Sequence, residues 1–89
     1  MKITSFEWDE ANEFHAIRHG VSRGEIEEVV VRACLIRKGC SGVYLAYGQT
    51  LDGRFVLVVF DYKGRGRARP FSARPLTDNE KKRLRRSQL

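Results

Sequence analysis

Hydrophobic positions follow a helical spacing near the start of this 89-residue chain and a strand-like spacing after residue 34. A short strand is predicted within residues 2–8, where apolar and polar residues loosely alternate. The first helix is predicted at about residues 10–19. Asp9 is a favourable N-cap residue for it, and Gly20 suits the left-handed conformation that ends many helices.

A second helix is predicted at about residues 23–32. Ser22 and Glu25 have the spacing of a capping box, and Val21 and Ile26 occupy the two positions of the hydrophobic staple around it. Two valines follow Ile26 at helical spacing on the same face, while glutamates occupy the first turns, where the helix dipole favours negative charge.

Four further strands and a last helix are predicted in the remainder of the chain. The strands are expected at residues 35–36, 43–47, 55–60 and 67–74, separated by glycine-containing turns. Residues 55–60 are six consecutive apolar residues, which suits a central strand covered on both faces. Thr77 and Glu80 form another capping box ahead of a basic helix.

The predicted order is therefore β-α-α-β-β-β-β-α in a single domain of residues 1–89. Because short turns join the later strands, we predict an α+β fold with a mainly antiparallel sheet of four to five strands and the helices packed on one side. The composition, 42% hydrophobic and 31% charged, is typical of a globular protein. No apolar run approaches the roughly 20 residues of a membrane span, so we expect a cytoplasmic protein with no membrane partner.

Cys34 and Cys40 lie six positions apart, with no second pair of cysteines and no clustered histidines. This pattern indicates neither a disulfide framework nor a zinc site, and we expect both to be small buried apolar side chains. His15 and His19 have i, i+4 spacing, but they supply only two ligands, so we predict no metal and no cofactor.

Positive charge is concentrated near the C-terminus. The net charge is −2 up to Tyr62 and +8 from Lys63 onward, giving +6 for the chain. Such polarity is typical of a surface that meets phosphates or an acidic partner, and the alternative is a solvated basic tail.

Four ordered motifs resemble the BrnT family. They are Phe-Glu-Trp-Asp at residues 6–9, Arg-His-Gly-Val-Ser at 18–22, Gly-Arg at 53–54 before an apolar strand, and Ser-Ala-Arg at 72–74 before the last helix. The resemblance implies a RelE-like fold and a toxin of a type II toxin-antitoxin pair. Such a toxin is similar to ribonucleases that stop translation, and a small antitoxin of ribbon-helix-helix type neutralises it.

Metal-independent RNA cleavage needs a base, an acid and cations that stabilise the phosphorane. His19 is expected at the C-terminal end of a helix, which favours its protonated form and a role as general acid; the alternative is a C-cap. Arg74 and Arg54 are the arginines expected to stabilise the phosphate, because a guanidinium can hold it bidentately.

Other residues are candidates for RNA binding, and each has a structural alternative. His15 is expected on the helix face of His19 or packed at the sheet edge, and a tyrosine near a strand end can stack on a base or pack in the core. Arginines on one strand face can contact phosphates or solvent, and serine can bind phosphate or stabilise a turn. The candidates are His15, Arg67, Arg69, Tyr62, Ser72 and, on the last helix, Arg83.

The sequence thus predicts a metal-independent endoribonuclease toxin whose partners are RNA and an antitoxin. The alternative is a non-catalytic RNA- or DNA-binding module with the same basic face. His19 and the Ser-Ala-Arg motif favour the nuclease. Pro70, which interrupts a strand, and Leu84, where the family often has tyrosine, favour the binding module.

Overall fold

The computed structural model describes residues 2–87, which form a five-stranded sheet and three α-helices. The strand order in the sheet is β1-β5-β4-β3-β2, and neighbouring strands are antiparallel except for β1, which is parallel to β5. The α+β class and the predicted element order are confirmed. The elements are β1 (Ser5–Phe6), α1 (Glu10–Ile17), α2 (Arg23–Val31), β2 (Leu35–Lys38), β3 (Val43–Gln49), β4 (Phe55–Tyr62), β5 (Arg67–Pro75) and α3 (Asp78–Ser87).

Capping side chains set where the helices begin. Ser22 and Glu25 form the predicted capping box of α2, with each side chain bonded to the other residue's backbone N–H. Thr77 and Glu80 do the same for α3. α1 ends at Ile17, two residues before the predicted end, and Gly20 with φ 81° follows in the connection to α2.

The main core lies between α1, α2 and one face of the sheet. Val56, Val58 and Phe60 alternate along β4 and are fully buried on this face, and Ile26 and Val29 of α2 belong to the same cluster. The staple residue Val21 is also buried there. The two helices before β2 therefore form one layer.

α3 packs on the opposite face of the sheet, so the prediction that all helices lie on one side is wrong. Leu84 of α3 clusters with Leu76 and with Leu57, and Leu57 lies between Val56 and Val58 in β4. Because successive strand side chains point to opposite faces, Leu57 faces away from α1 and α2. The predicted burial of β4 on both faces is confirmed over Val56–Val58. The α1–α2 layer covers one face of this strand and α3 covers the other.

A β-bulge accommodates the proline within β5. Val59 pairs with Ser72 and Phe60 pairs with Pro70, so Phe71 is the extra residue. The carbonyl oxygen of the buried Pro70 accepts a hydrogen bond from Asn12 Nδ2 at 2.8 Å. This bond ties α1 to the bulge.

Cys34 and Cys40 are free and exposed, so the prediction that both are buried is wrong. They flank β2, which lies at the edge of the sheet and, within residues 2–87, has a neighbouring strand on one side only. Within residues 2–87, no helix has the length and apolar character needed to cross a membrane.

Candidate functional site

The face of the sheet that carries α3 is only partly covered. One row across the strands, Leu35–Tyr47–Leu57–Arg74, lies beside α3 and includes the buried Leu57. The next row is Arg37–Leu45–Val59–Ser72, and its three members after Arg37 are half-buried. The α3 face therefore has a covered end and an accessible middle.

A cleft of about 70 Å³ opens where α3 meets β2 and β3. Apolar side chains form part of its wall, and arginine, tyrosine and glutamate side chains supply its polar groups. We refer to it as the α3 cleft; its lining residues are Leu35, Arg37, Tyr47, Glu80, Arg83 and Leu84.

Arg74 and Glu80 form a bidentate ion pair at the cleft. Arg74 Nη1 lies 2.7 Å from Glu80 Oε1, and Nη2 lies 2.8 Å from Oε2. The Arg74 hydrogen bond, together with the bond from the Thr77 backbone, lowers the pKa of Glu80 to about 2. Glu80 is therefore anionic at neutral pH, and the pair holds the start of α3 against β5.

Positive charge exceeds negative charge around the cleft. Arg37 and Arg83 are exposed at its lining, where Glu80 is the one acidic residue among the six described lining residues, and Arg74, paired with Glu80, adds a third guanidinium. Tyr47 is half-buried and lines the same cleft. Such a set can hold an oxyanion and place a phenolic O–H next to it.

Arg54 belongs to a different part of the molecule. Its Nη1 lies 3.3 Å from Glu25 Oε2, and both Nη atoms donate to the carbonyl oxygen of Gly20, at 3.4 and 3.3 Å. These partners belong to α2 and the turn before it, on the face opposite α3. Arg54 therefore fixes the α1–α2 turn, and the structure does not bring it together with Arg74.

The two histidines also lie away from the α3 cleft. His15 is exposed on α1, where its ring and that of Phe14 are in T-shaped contact with 5.8 Å between centroids. His19 is exposed in the α1–α2 turn, next to the glycine whose carbonyl Arg54 binds. Since α1 ends at Ile17 with Arg18 as its C-cap, His19 is beyond the helix and does not continue the helical face of His15.

Arg69 is engaged in ion pairs. Its Nη1 lies 2.8 Å from Asp9 Oδ2 and 3.3 Å from Glu7 Oε1. The hydrogen bond between Arg69 and Asp9 lowers the pKa of Asp9 and raises that of Arg69. Arg69 thereby joins the start of α1 to β5.

The remaining predicted residues are divided between the α3 face and the β4–β5 hairpin. Arg83 lines the α3 cleft, and Ser72 is at the β5 end of the accessible row. Arg67 is exposed at the start of β5. Tyr62 is partly exposed, and its hydroxyl accepts a hydrogen bond from the Gly66 N–H at 2.9 Å, which closes the hairpin.

Sequence reasoning missed Arg37, Tyr47 and Glu80 as members of one site. Glu80 was predicted only as a capping residue, and it does cap α3 while also binding Arg74. Arg37 and Tyr47 meet α3 through strand register, since Tyr47 lies opposite Leu35 in the β2–β3 ladder. The signal that could have placed Arg37 and Tyr47 in one site was the pairing of β2 with β3.

No family model matches the chain, and no curated protein matches it.

Proposed function

We propose that the protein is an endoribonuclease of the toxin type that cleaves RNA without a metal ion, at the α3 cleft. The observation that carries the proposal is the grouping of Tyr47 with Arg37 and Arg83 around the Arg74–Glu80 pair. Its proposed partners are RNA and, as the BrnT resemblance implies, a ribbon-helix-helix antitoxin.

The charge of the cleft supports binding of an RNA phosphate. Arg37 and Arg83 present guanidinium groups that can pair with phosphate oxygens, and Glu80 holds Arg74 in a fixed orientation. The two half-buried apolar residues next to Arg37 in its row, Leu45 and Val59, offer a floor for a base or ribose. The cleft and this floor together form the proposed RNA surface.

The same groups can promote strand cleavage by the neighbouring 2′-hydroxyl. The phosphorane carries additional negative charge, and preorganised guanidinium groups stabilise that charge more than they stabilise the ground state. In the proposed step the 2′-hydroxyl gives its proton to solvent water as its oxygen bonds to phosphorus, and the bond from phosphorus to the 5′-oxygen breaks. The Tyr47 hydroxyl is the proposed proton donor to that leaving 5′-oxygen, and the tyrosinate then regains a proton from solvent. Glu80 is not the base, because its pKa of about 2 leaves it weakly basic, and its role is to orient Arg74.

The first test uses a fluorescent single-stranded RNA in a buffer with chelator. We expect Tyr47→Phe to lower the cleavage rate about 100-fold, since it removes only the proposed proton donor, with RNA affinity changed less than about twofold. Arg37→Ala is expected to lower both affinity and rate. Arg32→Ala is the matched control, because it removes an exposed arginine next to α2, on the other layer.

A second candidate, a non-catalytic RNA-binding module, is favoured by one observation. His15 and His19 lie outside the α3 cleft, so the described lining of the cleft contains no histidine to act as acid or base. Arg54 lies outside it as well. Wild-type protein that binds RNA through Arg37 but leaves the strand intact would support this module and refute the nuclease.

Induction in a bacterial host separates the α3 cleft from a site at His19. The proposal expects growth arrest and RNA loss that Tyr47→Phe abolishes and His19→Ala retains. The reverse result would move the chemistry to the α1–α2 turn.

A further inference from the structure

β2 is an edge strand whose outer side is available for pairing. Among residues 2–87 it pairs with β3 alone. Gly39 N–H donates to Val43 O at 2.8 Å, so by the two-residue period of an antiparallel ladder Arg37 and Leu35 also direct their backbone groups towards β3. The N–H and C=O groups of Ile36 and Lys38 are consequently directed away from the sheet.

Each face of β2 adjoins a concave surface. Leu35 and Arg37 line the α3 cleft on one face. On the other face Ile36 lines a groove of about 290 Å³, which we call the α2 groove; its lining residues are Lys2, Ile3, Val30, Val31, Ala33 and Ile36. One short strand therefore separates a cleft that is lined by two arginines from a groove whose lining residues, apart from Lys2, have aliphatic side chains.

The two concave surfaces select different side chains. The residues that line the α2 groove have aliphatic side chains apart from Lys2, and Val31 among them is 59% exposed, although it is a large apolar side chain. On the opposite face of β2, two arginines, Arg37 and Arg83, line the α3 cleft. A strand beside β2 would direct alternate side chains to these surfaces, because its own side chains alternate.

We propose that the outer edge of β2 binds an extended segment of a partner protein as an additional strand. The segment carries an acidic side chain opposite Arg37 and a branched apolar side chain opposite Ile36. Main-chain bonds to Ile36 and Lys38 supply affinity, and the two surfaces supply specificity. The inference concerns a protein ligand and does not depend on RNA cleavage.

The charges on β2 favour such a partner over a second copy of this chain. Pairing of two β2 strands would bring Arg37 and Lys38 of one copy close to the same residues of the other, and like charges across a ladder are destabilising. An acidic segment neutralises them. RNA fits this edge less well, because the α2 groove offers a polyanion an aliphatic wall.

The test uses a blocked synthetic peptide of about eight residues that alternates glutamate and valine. The control peptide has the same composition with the glutamates in one block and the valines in another. Hydrogen exchange monitored by NMR should show the alternating peptide protecting the amides of Ile36 and Lys38. Those of Leu35 and Arg37, which already face β3, should change little.

Two variants separate main-chain pairing from charge. Lys38→Pro removes an outward N–H while leaving the inward bonds of β2, because proline is tolerated on the open side of an edge strand. We expect it to weaken peptide binding at least about tenfold, and Arg37→Glu to do the same through charge repulsion. Lys63→Glu, a matched charge reversal after β4, should alter affinity less than about twofold.

Three results would overturn the proposal. One is the absence of protection at Ile36 and Lys38 at millimolar peptide. Another is equal binding of the block peptide, which would mean that charge alone attracts it. The third is a concentration-dependent dimer of the unliganded chain that already protects both amides, which would assign the edge to a second copy.

Discussion

Arg74 and Glu80 show how one pair of side chains joins a strand to a helix. Glu80 accepts both guanidinium bonds and also caps α3, and its side chain is 20% exposed. Its pKa falls from 4.5 to about 2 on folding, so its stabilising effect is complete above about pH 4.5 and is lost as the pH falls towards 2.

Glu80→Gln is therefore expected to lower the free energy of unfolding at pH 7 by about 1 kcal/mol. This is less than the roughly 3 kcal/mol that the pKa shift alone implies, because solvent screens the 41% exposed Arg74. Urea unfolding of both proteins from pH 7 to pH 3 measures the effect, and the difference should shrink as the pH falls. Asp78→Asn, at a 95% exposed carboxylate, is the control; a difference for Glu80→Gln that stays constant with pH would refute the assignment.

Asn12 is a buried polar residue whose side chain bonds to backbone groups. Its Oδ1 accepts from Asp9 N at 2.7 Å, while Nδ2 donates to Glu7 O at 2.9 Å and to Pro70 O at 2.8 Å. It therefore caps α1 and connects that helix to the β5 bulge.

Asn12→Ala should lower the free energy of unfolding by about 2–3 kcal/mol, because it leaves buried backbone groups without partners. Denaturant unfolding beside Asn79→Ala, at an exposed asparagine of α3, checks this. A loss below about 0.5 kcal/mol, the usual size for a surface substitution, would mean that solvent replaces these bonds.

At the scale of elements, local signals predicted where helices and strands lie better than they predicted their packing. Ser22–Glu25 and Thr77–Glu80 placed the starts of α2 and α3 correctly, because capping depends on residues close in sequence. The side on which α3 packs depends on Leu57 and Leu84, which are far apart in sequence. The run of apolar residues in β4 indicated cover on both faces without identifying the covering element.

The candidate site was predicted only in part for the same reason. Arg74, Arg83 and Ser72 lie on the α3 face as separate predicted residues, but Arg37 and Tyr47 join them through the pairing of β2 with β3. Arg54 was assigned to the phosphate from its motif. Its fold-stabilising bond to the turn at Gly20 depends on how α2 packs, which the sequence does not specify.

At the scale of the whole molecule, the excess positive charge is concentrated in the last third of the chain. The segment up to Tyr62 has a net charge of −2 and includes both helices of the α1–α2 layer, whereas the segment from Lys63 has +8 and includes β5 and α3. The field of the molecule therefore favours approach of a polyanion to the β5 and α3 end.

This polarity predicts the salt dependence of RNA binding. A plot of log affinity against log salt concentration should fall with a slope of about −2 to −3 if three or four phosphates are neutralised. Arg37→Ala should make the slope shallower by about 0.7, which is the contribution of one phosphate contact on a single strand. Arg32→Ala should leave it unchanged, and affinity independent of salt would exclude phosphate binding by these residues.

The attachment of α3 links ligand binding to folding of the last helix. α3 is held to the sheet by Leu84, by the preceding Leu76 and by the Arg74–Glu80 pair, a smaller contact than the core beneath α1 and α2. We therefore expect it to undock at a lower free energy than the sheet unfolds. Because α3 forms one wall of the α3 cleft, only molecules with α3 docked bind a ligand there. Ligand binding therefore lowers the fraction of molecules with α3 undocked, and proteolysis of the α3 segment should slow as the occupancy of the cleft rises.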